Sequence, residues 1–143
     1  QPTINGKGSI KEKMRLSISK HIYAAFSVSA EIQKAIGKNK IFPIATKNEV
    51  PFPFIVYERD SVTPHYDKSG ASVTESSVNV YVLAEGYTES IDIAEMVIRA
   101  LERKDATYKD FEVIGATMLG ASESYTSNTF VQQISFNFMT KSL

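Results

Sequence analysis

Apolar residues recur along this chain with two periods, and the switches between the periods divide it into elements. Near the N-terminus Ile18, Ile22, Ala25 and Phe26 fall at i, i+4, i+7 and i+8, one face of an α-helix. Ser27-Val28-Ser29 interrupts this stripe, and Ile32, Ala35 and Ile36 resume it. Ser29 is placed to cap a second short helix, with Glu31 in its first turn, where the helix dipole favours a carboxylate. Gly37 supplies a left-handed stop. The spacing therefore predicts helix over 16–36, as one kinked rod or two short ones. Two apolar runs follow, Ile41–Ile44 and Phe52–Tyr57, joined by a polar link. Phe54-Ile55-Val56-Tyr57 is apolar at successive positions, the pattern of a central strand buried on both faces. Pro51 and Pro53 confine its start, since proline cannot donate to a ladder.

Beyond that strand, Ser61–Ala71 reads as a loop or hairpin connection. Val73–Leu83 alternates with period two: Val78, Val80 and Val82 share one face, and Ser77, Asn79 and Tyr81 the other. Thr88–Arg103 returns to the helical period, with Ile91, Ala94, Val97, Ile98 and Leu101 as its apolar stripe. Thr88 is placed to cap it, and its acids lie early and its bases late, as the macrodipole favours. Two strands complete the chain. The first spans about Phe111–Ser122, with bends or bulges at Gly115 and Gly120. A turn over Ser124–Asn128 leads into the second, about Thr129–Thr140, where Phe130, Ile134, Phe136 and Phe138 point one way and Gln133, Ser135 and Asn137 the other. An order of helix, strands, helix, hairpin predicts an α+β fold: a mainly antiparallel sheet of about four or five strands, with two to three helices packed on one face.

A length of 143 residues suits one such domain. Residues 1–13 read as a flexible leader, with two glycines and four charges, and 14–143 as the single domain. The absence of cysteine excludes disulfides, thiolate metal sites and cysteine nucleophiles. Net charge is zero, which argues against a general nucleic-acid binder. The charge is unevenly placed, however. Residues 1–47 carry nine Lys/Arg against two Asp/Glu, and residues 48–143 carry seven against fourteen, a split of +7 and −7. Such a split suits a polar assembly surface as well as a solvated basic face.

Candidate chemistry is sparse. His21 and His65 are the only histidines, and they offer neither metal-ligand spacing nor the order of a catalytic triad. His21 reads as a surface or boundary residue of the first helix. His65 lies in the polar segment Pro64-His65-Tyr66-Asp67-Lys68, and a small hydrolase would pair it with Asp60 or Asp67. Glu58 adds a third carboxylate to that region. No GxSxG, GxxxxGK[ST] or GxGxxG motif occurs. No catalytic, cofactor or metal residue is therefore assigned. Phe52, Phe54, Phe136 and Phe138 read as core, whereas Tyr57, Tyr66, Tyr81, Tyr87 and Tyr125 are of the type that lines interfaces. A monomeric adaptor that binds a protein or peptide is a second non-catalytic reading.

One ordered set of motifs points further. A helical segment ending at Gly37 is followed by Ile41–Ile44 (IFPI), a proline-bearing link, Pro53–Arg59 (PFIVYER), Pro64, and a Lys68-Ser69-Gly70 turn. The strand Ser77–Leu83 then leads through Gly86-Tyr87 into an amphipathic helix, and two strands close the chain. Over about residues 14–140 this layout resembles the tail-completion (tail-terminator, head–tail joining) proteins of long-tailed bacteriophages, a family that includes prophage domains of unknown function. The resemblance implies a protein without catalysis or cofactor. It would assemble as a ring, often a hexamer, at the head-proximal end of the tail tube, stop tube growth, and present a surface to the head connector. It implies copies of itself, tube proteins and connector proteins as partners, no specific nucleic acid and no membrane, with assembly in the host cytoplasm and a final place in the virion tail. The residues expected at its interfaces are Pro64, His65, Tyr66, Asp67 and Lys68, the hairpin tip 122–129 with Tyr125, and Tyr87.

Overall fold

The N-terminal helical stripe resolves into two helices, because Ser29 leaves the helical path. Its backbone is extended (φ −77°, ψ 108°), and its hydroxyl accepts the Ile32 N–H at 3.4 Å. Helix α1 spans Ile18–Val28 and α2 spans Ala30–Ile36, which ends at Gly37 with φ +87°. These elements belong to a computed structural model that describes residues 16–45, 49–66 and 72–143. The predicted leader 1–13, together with Asp67, Lys68 and Gly70, lies outside the described residues.

Among the described residues six strands form one sheet: β1 (Ile41–Pro43), β2 (Phe54–Tyr66), β3 (Ser72–Ala84), β4 (Ala106–Thr107), β5 (Phe111–Thr126) and β6 (Thr129–Ser142). Their order across the sheet is β1-β2-β3-β6-β5-β4. The expectation of a mainly antiparallel sheet of about four or five strands thus holds in kind and is corrected in number. β1 pairs parallel with β2, and the two-residue β4 adds an edge too short to leave a period in the sequence. β2 is flanked by β1 and β3 along Ile55–Tyr57, as its apolar run suggested, although it lies second from one side of the sheet. The centre is the long pairing of β3 with β6.

Three boundaries differ from the sequence reading. Residues 61–66, expected as a loop, continue β2, because β3 supplies partners from Ser61↔Ser77 to Tyr66↔Ser72 after a bulge at Asp60. Pro64 is tolerated there because β1 stops beside Tyr57, leaving the outer side of β2 without a ladder to break. The hairpin turn also shrinks. β5 runs to Thr126, and only Ser127 and Asn128 turn, both in the left-handed region (φ 52° and 61°) that two-residue hairpins require. Ser124 and Tyr125 are therefore strand residues. Helix α3 spans Tyr87–Leu101, with Gly86 rather than Thr88 at its N-cap, and Gly86 accepts the Ser90 N–H at 3.0 Å. Starting there, the buried stripe is Ser90, Ile93, Ala94, Val97 and Leu101, and Ile91 and Ile98 flank it.

The three helices among the described residues cover one face of the sheet. Ile22, Phe26 and Ile32 from the first two helices meet Ile93, Val97 and Leu101 of α3 and the inward residues of β2, β3, β5 and β6 in one core. Phe136 and Phe138 are fully buried in it. Phe54 is buried outside that cluster, against Phe42 at 6.2 Å and Phe52 at 5.5 Å, and Phe52 stays 36% exposed. Tyr57 is buried. The other face of the sheet carries hydrogen-bonded polar pairs: Ser135 donates to Asn79 and Tyr81 to Glu58, each at 2.7 Å. Desolvation, reinforced by that carboxylate, pushes the Tyr81 phenol up to about 12. Among the described residues no helix is long and apolar enough to cross a membrane.

Candidate functional site

At the β5–β6 hairpin, two expected interface residues meet. Their meeting depends on two bulges in β5. Register passes from Val113↔Thr140 to Gly115↔Met139, skipping Ile114, and from Met118↔Phe136 to Gly120↔Ser135, skipping Leu119. Each extra residue flips the following side chains to the other face, so one bulge alone would have turned the rest of β5 inside out. The second restores the starting parity and sets Glu123 and Tyr125 on the helix-covered face, opposite Gln132 and Phe130. Helix α3 begins beside them, bringing Tyr87.

The result is a small aromatic pocket of about 170 Å³ lined by Tyr87, Glu123, Ser124, Tyr125, Phe130 and Gln132. The Phe130 ring lies 5.5 Å from that of Tyr87, edge on, and 4.6 Å from that of Tyr125, tilted. The Tyr87 hydroxyl donates to both Glu123 carboxylate oxygens, at 3.0 and 3.1 Å. Gln132 Nε2 donates to Glu123 Oε1 and to Ser90 Oγ, both at 3.2 Å, and Ser90 donates to the Tyr87 carbonyl at 2.6 Å. This relay fastens the hairpin to the first turn of α3. Accepting the Tyr87 hydrogen bond, the Glu123 carboxylate holds that phenol above its ordinary range.

The other expected interface residues lie at the opposite end of the sheet. Pro64, His65 and Tyr66 end β2, beside Thr74, Val73 and Ser72. His65 Nε2 stands 2.8 Å from Glu75 Oε1, with both side chains well exposed. Asp60 sits at the β2 bulge, roughly 16 Å back along the strand at ~3.3 Å per residue. The pairing of His65 with Asp60 is therefore corrected to His65 with Glu75, and Asp67 lies outside the described residues. A contact patch shared by His65 and Tyr125 is likewise excluded, since they occupy different ends.

His21, expected at the surface or its boundary, is buried. Tyr108 OH lies 2.7 Å from its Nδ1, and the rings of Tyr108 and Phe138 flank it edge on at 5.7 and 5.6 Å. Burial lowers its pKa, so the neutral ring is favoured, and its buried Nε2 has no hydrogen-bond partner among the described residues. The signal was present in the sequence: Ile18, His21, Ile22, Ala25 and Phe26 complete the i, i+3, i+4, i+7, i+8 face. Beside His21 an open groove of about 690 Å³ runs between α1, the end of α3 and β4, floored by Ala24, Ala25, Ala100 and Ala106. Its rim is bridged by Arg99, whose Nε and Nη2 donate to Glu31 at 3.0 and 2.8 Å. Among the described residues no three His, Asp or Glu side chains gather as a metal site requires.

Residues 20–141 match the model of the family described as "Tail completion protein gp17". A solved structure with a similar fold is a chain from a structure titled "Virion of native gene transfer agent (GTA) particle". The likeness has a TM-score of 0.68 at 14% identity and covers 85% of this chain and 90% of that one. No sequence among curated proteins matches closely enough to count as a relative.

Proposed function

This chain belongs to the tail completion protein gp17 family, and we propose that it acts at the head-proximal end of a phage tail, capping the tube and helping to join it to the head. The observation that carries the reading is the family match, which spans nearly every described element from α1 to β6. The geometry suits it. A single sheet with one common core holds exposed side chains at two ends that face different directions, as a joint between two assemblies needs. The His65–Glu75 end and the Tyr87–Tyr125 end are the two candidate contact surfaces. The split of +7 over residues 1–47 against −7 over 48–143 favours head-to-tail contact between copies. Heterologous contacts of that kind close into a ring when the rotation between neighbours allows. The role is structural: binding and stopping growth, with no reaction step, in the host cytoplasm during assembly and then in the virion tail.

Polymerisation of the cognate tail-tube protein, followed by electron microscopy, tests this reading. Adding the protein at substoichiometric amounts is expected to cap growing tubes at one end, with a ring of copies visible there. Tubes that grow to the same length distribution with no end density would defeat it. Light scattering over a concentration series measures ring formation separately.

A further inference from the structure

We propose that the pocket between Tyr87, Tyr125 and Phe130 receives a cationic side chain, an arginine or lysine presented by the basic N-terminal third of a second copy of this chain. Three observations converge. First, the rings enclose a hollow of about 170 Å³, and Tyr87 and Tyr125 remain 45% and 58% exposed. Aromatic faces gathered this way attract a guanidinium or ammonium through the ring quadrupole. Second, Glu123 closes one side of the hollow. Tyr87 and Gln132 donate to it, yet no cationic group of the described residues pairs with it. A carboxylate offers about four acceptor sites, so room remains for a charge-assisted bond. Glu85 and Glu89 flank Tyr87 in sequence and add to the negative potential. Third, cations are concentrated elsewhere in the chain. Lys20, Lys34 and Lys38 are exposed on or just after α1 and α2, within the +7 segment.

The placement of these groups favours a neighbour over the same copy. The Ile55 N–H donates to the Lys40 carbonyl at 2.9 Å, which puts the chain just after Lys38 at the β1–β2 edge of the sheet. The pocket lies at β5 and β6, on the other side of β3 in the sheet order. A basic side and an acidic aromatic side on opposite flanks make a head-to-tail pair. This step rests on the reading that copies associate, but the pocket's preference for a cation can be measured without it.

Arginine amide and its neutral isostere citrulline amide are the probes, read by the ring resonances of Tyr87 and Tyr125 in the full chain. Arginine amide is expected to shift both tyrosines and citrulline amide neither. Glu123→Gln, which keeps an acceptor for Tyr87, is expected to weaken the effect about tenfold. Equal shifts from the two probes, or none from either, overturn the cation pocket. Sedimentation velocity then reads the occupant. Glu123→Gln and Tyr125→Ala are each expected to reduce self-association, with melting of the Glu123→Gln protein unchanged. Arginine-amide binding together with unaltered self-association of both variants overturns the second copy as occupant. Failure of the unaltered chain to associate at any concentration defeats the ring reading and the second-copy assignment together, while the probe titration still decides the pocket.

Discussion

Two aromatic clusters hang from the same face of β6, about 27 Å apart at ~3.4 Å per residue, and they have opposite fates. At one end Phe130 holds Tyr87 and Tyr125 in a hollow open to water. At the other, Phe138 packs on His21, and Tyr108 stacks on Phe111 at 4.9 Å, with Phe138 and Phe111 fully buried. The residue types are nearly the same. The difference lies in cover: α1 lays His21 over the Phe138 end, whereas at the Phe130 end only the first turn of α3 reaches the rings. Polar groups follow that difference. The buried cluster keeps a neutral imidazole, and the open one keeps a carboxylate bound by a phenol and an amide. A carboxylate without a cationic partner is affordable only where water or a partner reaches it.

The largest effect expected from this comparison is at the closed end. Phe138→Ala removes a fully buried ring and should cost about 3–5 kcal/mol, read as a fall in melting temperature. Phe130→Ala removes a half-buried ring and should cost about 2 kcal/mol, while releasing Tyr87 and Tyr125. Equal losses from the two substitutions would erase the distinction drawn here.

A smaller effect separates the clusters by pH. Burial lowers the folded-state pKa of His21 below its ordinary 6.5, so the unfolded chain takes up that proton more readily. Stability from this source is complete above the unfolded value and is lost as pH falls below it toward the folded value. His21→Gln should therefore flatten the fall in melting temperature between about pH 7 and pH 5. An unchanged slope in the variant would remove His21 from that account. The smallest effect is at the exposed end of β2: His65→Gln should change stability by less than ~1 kcal/mol, because solvent screens the pair with Glu75. A larger loss in urea denaturation would show that this end is closed more tightly than its exposure implies.

Much of the fold was legible from period alone. Ser29 and Gly37 divided and ended the first helices, and the alternation through Val78, Val80 and Val82 identified the inner face of β3. Gly115 and Gly120 marked the neighbourhood of both bulges. Other features were not legible, for identifiable reasons. Residues 61–66 are polar because they line an outer strand, and polarity without an apolar face looks like loop. Ser124 and Tyr125 looked like turn because a turn of Ser127 and Asn128 carries no glycine to mark it. The candidate site was half visible. Tyr87 and Tyr125 were identifiable as interface types, but Glu123, Gln132 and Ser90, which hold them, were not, since their meeting joins β5, β6 and α3.

The sequence by itself determined the order of the main elements, the inner faces of β3 and β6, and the family, because periodicity and motif order are local and survive without a partner. Only the tertiary structure decided which aromatic cluster is core and which stays open to water. That outcome depends on two bulges cancelling in parity and on which end of β6 a helix crosses. Both are matters of register and cover between distant segments, and neither has a local energetic signature along the chain.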